Sequence, residues 1–251
     1  MSIDQPVNVD VLDAMPTAAT AGGFTALITV GDNPKTAKSD KQGHYLTAIM
    51  YLAPSRTMCP AASKGCLASC LNTAGNPVYL RGKLRARGNR TKLFREQPAV
   101  FLARLVIELT RHVERCERLG VKPAVRLNGT SDVAWERVAP RLFDMFPSVQ
   151  FYDYSKRFDR MGKTPSNYWL TFSRSEENDF LCGLALARGH HVSVVQAFKK
   201  HQPPATWRGY SVDDGDADDL LFSRQHQVQL LVPKGKARKD TSGFVIVSGA
   251  A

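Results

Sequence analysis

Read from the N-terminus, the alternation of apolar and polar positions first settles at GFTALITV (Gly23–Val30), a short branched and apolar run that predicts a strand. Residues 1–22 before it show no sustained period and predict a loose leader ahead of one domain over 23–251. Residues 31–43 are rich in turn formers, and HYLTAIMYLAP (His44–Pro54) predicts a second strand stopped by its proline. Between Gln97 and Leu119, Phe101, Leu102, Leu105, Val106, Leu109 and Val113 recur at helical spacing, and Gly120 ends the helix. Strand and helix patterns then alternate. Strands are expected at Pro123–Gly129, Val149–Ser155, Asn167–Ser173 and His191–Phe198, with helices at Asp132–Met145 and Glu176–Arg188. His226–Pro233 and Gly243–Val247 supply two more strand candidates.

Strands joined by helices of this length imply parallel pairing through right-handed crossovers. The chain therefore reads as an α/β fold with a mostly parallel sheet, an incomplete or modified β/α barrel, with an open three-layer sheet as the alternative. No GxGxxG and no P-loop follows any strand, so the common nucleotide fingerprints are missing.

Composition narrows the class. The 251 residues are 43% hydrophobic and 23% charged, which excludes global disorder. Apolar runs fall short of the roughly 20 residues that a membrane-spanning helix needs. The start, MSIDQPVNVD, lacks the basic and apolar regions of a signal peptide. Five cysteines do not make a disulfide scaffold. A cytoplasmic protein with no membrane partner is the expectation.

The net charge of +11 favours polyanionic partners, namely DNA, RNA or a nucleotide. Arg81, Lys83, Arg85, Arg87, Arg90, Lys92 and Arg95 follow one another without an acid. On a helix Arg87 and Arg90 would share a face while Arg85, Lys92 and Arg95 point elsewhere. Such dispersed charge suits contact with a phosphate backbone, or plain solvation, better than base reading. Lys234, Lys236, Arg238 and Lys239 form a second basic stretch, and DDGDADD (Asp213–Asp219) an acidic one. The acids could pair with the basic blocks or hold a divalent cation, although the full calcium-loop pattern is missing.

The densest chemistry lies in MCPAASKGCLASCLNTAG, Met58–Gly75. Cys59, Cys66 and Cys70 are separated by six and then three residues, with Pro60 and Gly65 to bend the chain between them. Cys66 and Cys70 would share one face of a helical turn. Three convergent thiolates can hold three irons of a [4Fe–4S] cluster and leave the fourth open. Zinc also suits soft sulfur but needs a fourth ligand for a structural site. Reduced thiols lining a tight loop are the plain alternative. Cys116 and Cys182 read as packing residues.

The loop follows a predicted strand, and the carboxyl ends of parallel strands are where β/α folds place their chemistry. The strand exits there are polar. Asn128, Thr130, Ser131 and Asp132 follow one, Asp153 to Lys156 another, Ser173 to Glu176 a third, and Gln196 lies near a fourth. Asn128, Thr130, Ser131, Ser173, Arg174 and Gln196 could hold the amine, ribose and carboxylate of a ligand. Asp132 would contact the amine or transfer a proton, and Lys156 and Arg174 would face a carboxylate or phosphate. The local alternatives are that Asp132, Thr130 and Ser131 cap the helix near Trp135, and that Ser175 and Glu176 open the next one.

A three-cysteine loop after an early strand resembles, in layout, the radical S-adenosylmethionine enzymes. That resemblance implies a [4Fe–4S] cluster whose open iron takes S-adenosylmethionine. The spacing departs from the family's three and two residues, and no GGE-like motif is present. A closer resemblance rests on NPKTAKS, YLAPSRTMCPAASKGCLASCLNTAG, KPAVRLNGTSDVAWE, VQFYDYSK, YWLTFSRSE and KARKDTSGFVI, spread over residues 33–248. These blocks look like a phage-encoded domain family known as gene product eighty-eight, which implies a phage or mobile-element protein acting in a bacterial host. Two functions from different classes follow. One is an iron–sulfur enzyme, radical S-adenosylmethionine-like, acting on a nucleotide or nucleic acid. The other is a nonenzymatic nucleic-acid-binding protein with a structural zinc or cluster; an unrelated small-molecule enzyme is a third.

Overall fold

Alternate residues of the central strands enter one apolar core, and every longer helix packs against that side. The computed structural model describes residues 5–7, 26–31, 33–41, 43–74 and 77–247. The expected leader lies outside the described residues except at 5–7, as do 23–25 of the first expected strand. The strands are β1 (Ile28–Val30), β2 (Tyr45–Met50), β3 (Lys122–Arg126), β4 (Gln150–Ser155), β5 (Tyr168–Ser173) and β6 (Val192–Val195). They continue as β7 (Thr206–Trp207), β8 (Tyr210–Asp214) and β9 (Val228–Leu231). Their order is β1-β2-β3-β4-β5-β6-β9-β8-β7. Only the β1–β2 and β7–β8 pairs are antiparallel.

The sheet is open. Of the two readings, the barrel fails because its edges are taken: β1 lies on the outer side of β2, and β8 and β7 extend the sheet beyond β9. The helices are α1 (Pro34–Asp40), α2 (Lys64–Ala68), α3 (Pro77–Glu96), α4 (Pro98–Leu119), α5 (Trp135–Val138), α6 (Arg141–Met145) and α7 (Asp179–Ala187). Phe101, Leu105 and Leu109 of α4, Trp135, Phe143 and Leu186 share one cluster with Val125, Phe151, Phe172 and Val194. Fully burying each such side chain contributes about 1.5–3 kcal/mol. The opposite face is covered thinly. Tyr152 and Ala124 pack with Leu221 of a 3₁₀ turn, and Asp40 of α1 accepts the Thr47 amide at 3.0 Å.

α4 matches its expected range, capped by Gly120 in the left-handed region at φ 66°. Other elements differ. The helix expected over 132–145 is broken into α5 and α6 around Ala139 and Pro140, because proline cannot donate to the turn before it. The last expected strand, Gly243–Val247, is reduced to a single bridge between Ile246 and Gln196. The acidic run is a clasp: Asp216 meets Lys35 at 3.2 Å and Lys234 at 2.5 Å, Asp218 meets Arg224, and Asp219 meets Arg126. Its acids thus pair with one cation of the second basic stretch.

Gly129 locks the exits of β2 and β3 together. Its amide donates to the Met50 carbonyl at 2.9 Å, and an added Cβ would lie 2.7 Å from that oxygen and 2.6 Å from the Tyr51 ring. Gly129→Ala should therefore cost about 1–3 kcal/mol, as overpacking against fixed backbone does. A denaturant midpoint unchanged from wild type would refute this. No described helix is long and apolar enough to cross a membrane.

A candidate metal centre at the carboxyl ends of the strands

The cysteine loop leaves β2 and turns back at once. The Cys59 amide donates to the Ser55 carbonyl at 2.8 Å, and the Ala62 amide to the Cys59 carbonyl at 3.1 Å. Ser63 caps α2, accepting from the Cys66 amide at 3.0 Å. α2 stops at Ala68, so Cys70 lies beyond it, at φ -57° and ψ 133°, rather than on a continuous helical face with Cys66. Its sulfur accepts the Asn72 amide at 3.4 Å.

All three thiols are partly buried and feel one another. Burial pushes the Cys59 thiol up to about 12, helped by the Asp132 carboxylate and by the Cys70 and Cys66 sulfurs. Burial also raises Cys66 and Cys70, while the Lys156 ammonium acts in the opposite direction on both. The carboxylate and the ammonium come from the exits of β3 and β4, so the loop does meet the polar rim. Cys116 and Cys182 are fully buried elsewhere, in α4 and α7.

The raised thiols make a pH prediction for the metal-free protein. An unfolded thiol ionises near 9 and the folded Cys59 near 12. The folded state therefore holds the proton more tightly, and stability present below pH 9 falls as pH rises through that window. The slope is at most about 1.4 kcal/mol per pH unit. Thermal melts from pH 7 to pH 10 should show a flatter decline for Cys59→Ala than for wild type; parallel declines would refute the shift.

Two distant segments hold the loop. Glu176, just past β5, accepts from the Ser63 hydroxyl and the Gly65 amide, both at 2.8 Å. Asp240 accepts from the Ser69 hydroxyl at 3.4 Å and from the Val245 amide at 3.0 Å. Gly65 is squeezed between them: a Cβ there would lie 2.6 Å from Glu176 and 2.1 Å from the Ser242 hydroxyl. Glu176 is thus a latch rather than the start of α7, which opens at Asn178.

The rim residues divide by how far they are already committed. Lys156 sends its ammonium to the Ser173 hydroxyl at 2.8 Å and the Arg174 carbonyl at 3.2 Å, and lies 5.1 Å from the Phe244 ring. Asp132 does not cap α5, whose N-cap is Ala134. Its oxygens accept from the Ser155 hydroxyl, the Lys156 amide and Arg160 at 2.7–2.9 Å. Asn128 is spent on structure: its side chain bonds the Val133 carbonyl, Asp153 and the Ser131 hydroxyl. Thr130 donates to the Leu52 carbonyl at 2.6 Å. Arg174 pairs with Asp179 and ties down the Gly243 and Phe244 carbonyls. Gln196, just past β6, keeps an amide oxygen without a partner among the described residues.

The basic stretch is one helix with two roles. Arg81, Lys83, Arg85 and Lys92 of α3 face solvent. Arg87 and Arg90 turn inward, where Arg87 binds the Asn72 carbonyl at 2.7 Å and Arg90 the Ala26 carbonyl at 2.7 Å. Neither lies on the solvent-exposed face of α3.

Among the described residues, no group of three or more His, Cys, Asp or Glu side chains is arranged to hold a single metal ion. Three sulfurs lie on this one loop with the Lys156 ammonium beside them, and thiolate is the ligand type that soft metals prefer. Sequence reasoning missed Arg160, which joins Asp132 to Glu136 in the interior, and Ser63; a serine three residues before Cys66 was the available capping signal.

Compared with known families, residues 26–248 match a family model described as Gene product 88. No curated protein and no solved structure matches the chain.

Proposed function

The chain belongs to the gene product 88 family, and from that premise we propose that this phage protein is an iron–sulfur enzyme whose cluster is held by Cys59, Cys66 and Cys70. The observation that carries the reading is the meeting of three mutually interacting thiols with Asp132 and Lys156 at one end of a parallel sheet. With three ligands for four irons, a bound [4Fe–4S] cluster would supply one-electron chemistry and an iron open to an exogenous ligand. S-adenosylmethionine is the ligand to test there, and a nucleotide or nucleic acid in the host cytoplasm the substrate class.

The chain's own groups have definite tasks in this reading. Glu176 and Asp240 fix the loop so that its sulfurs stay together. Lys156 offsets the negative charge that thiolate ligands bring, and with Ser173 gives a carboxylate-bearing ligand a donor pair. Asp132, held by Arg160, sets the Lys156 backbone in place. Phe244 and the segment around it shield one side from water.

Anaerobic purification tests the proposal. Brown protein with about four irons per chain is the expected result; colourless protein with one zinc per chain would overturn it in favour of a structural zinc and a nucleic-acid-binding role for the exposed face of α3. Adding S-adenosylmethionine should alter the paramagnetic signal of the reduced cluster. An unchanged signal would reject that ligand and keep the cluster.

A further inference from the structure

A second site lies behind the cysteine loop, between α3 and the strands β1 and β2. There the fold forms a half-open pocket of about 260 Å³ lined, among the described residues, by Thr29, Tyr51, Gly82, Lys83, Ala86, Arg87 and Arg90, none of them acidic. We propose that this cavity binds a phosphoryl anion, either free orthophosphate or the phosphate of a nucleoside monophosphate.

Arg87 carries the argument. It is more than nine-tenths buried, yet its partners are neutral: the Asn72 carbonyl at 2.7 Å, the Asn72 side-chain oxygen at 2.8 Å and the Tyr51 ring at 4.8 Å. No carboxylate pairs with it among the described residues. The Cys70 sulfur is the one group of negative potential that Arg87 feels from the cysteine loop; a buried cation hydrogen-bonded to neutral groups is costly, and an anion in the adjoining pocket offsets that cost. Burial accordingly lowers its pKa. Arg90 also spends bonds on carbonyls, those of Ala26 and Tyr51. Lys83 stands at the solvent side.

The chemistry of the wall selects the ligand. Guanidinium groups present planar forks that match phosphate oxygens, and a cavity lined by one sign of charge concentrates anions. At about 260 Å³ it is below the 300–1,000 Å³ of sites for larger organic ligands, so the phosphoryl group is the part it would hold. A nucleoside would project past Gly82, where nothing lies within 4 Å of the position a Cβ would take.

Titration of the full chain with orthophosphate and with adenosine 5′-monophosphate, at constant ionic strength, tests the proposal by calorimetry and thermal shift. Saturable binding is expected, weakened at least tenfold by Gly82→Glu and by Lys83→Glu. Gly82→Glu removes a glycine from a helix interior, so folding should survive, as circular dichroism will verify. Arg95→Glu carries the same charge change as Lys83→Glu on an exposed residue outside the cavity and should leave affinity within twofold. Monophosphate binding at least tenfold tighter than orthophosphate would identify the nucleotide as the source, and equal affinity the free anion. Absence of saturable binding, or equal weakening by Arg95→Glu, would overturn the site.

Discussion

Arg160→Met is expected to destabilise the protein by about 3–5 kcal/mol, the cost of stranding buried charge. Arg160 is fully buried. Its guanidinium donates to Asp132 at 2.7 Å, to both oxygens of Glu136 at 2.9 Å and to the Tyr168 hydroxyl at 3.1 Å. Methionine fills much of the volume but leaves two buried carboxylates facing each other. Domains of this size have total stabilities of about 5–15 kcal/mol, so much of the folded margin would go. Adding Glu136→Gln should recover part of the loss, since it removes one of the stranded charges. Urea midpoints for the three proteins decide the matter. A single variant within about 1 kcal/mol of wild type would show that the network is solvated or unimportant.

Cys66→Ser should reduce the iron of anaerobically prepared protein from about four per chain to a small residue, whereas Cys182→Ser should leave it unchanged. The contrast follows from position. Cys66 sits within reach of the Cys70 sulfur, Asp132 and Lys156. Cys182 packs in the core of α7, and burial raises its pKa to about 11. A hydroxyl replaces a thiolate poorly for a soft metal, so one ligand lost from three is expected to empty the loop. Equal iron in both variants would show that the metal is held elsewhere or adventitiously. The fold of Cys66→Ser can be checked apart from its metal, because the Cys66 backbone amide, not the sulfur, makes the bond to Ser63.

What the sequence revealed depended on how local the cause was. α4 was legible because Phe101, Leu105 and Leu109 fall on one stripe, and a stripe is a property of adjacent turns. The polar exits at Asn128, Lys156 and Ser173 were legible as a group, since parallel strands bring their carboxyl ends to one edge. Their individual duties were not. Whether Asn128 meets a ligand or the Val133 carbonyl depends on partners that folding brings together. The charge of Arg87 and Arg90 suggested solvent, and nothing nearby in sequence announced that Ala26, Tyr51 and Asn72 would offer them carbonyls. Arg160 was hidden for the same reason, its partners lying 24 and 28 residues away at Glu136 and Asp132. The sequence favoured a barrel because strand number alone does not say what occupies the edges; the two-residue β7 was too short to register.

The hold of Asp240 on Ser69 spans 171 residues. During synthesis, Cys59, Cys66 and Cys70 leave the ribosome long before Glu176 and longer still before Asp240, so the loop is made before the two carboxylates that hold it. A ligand of those sulfurs delivered early would meet a loop not yet held by Glu176 and Asp240; one delivered late would meet the loop already held.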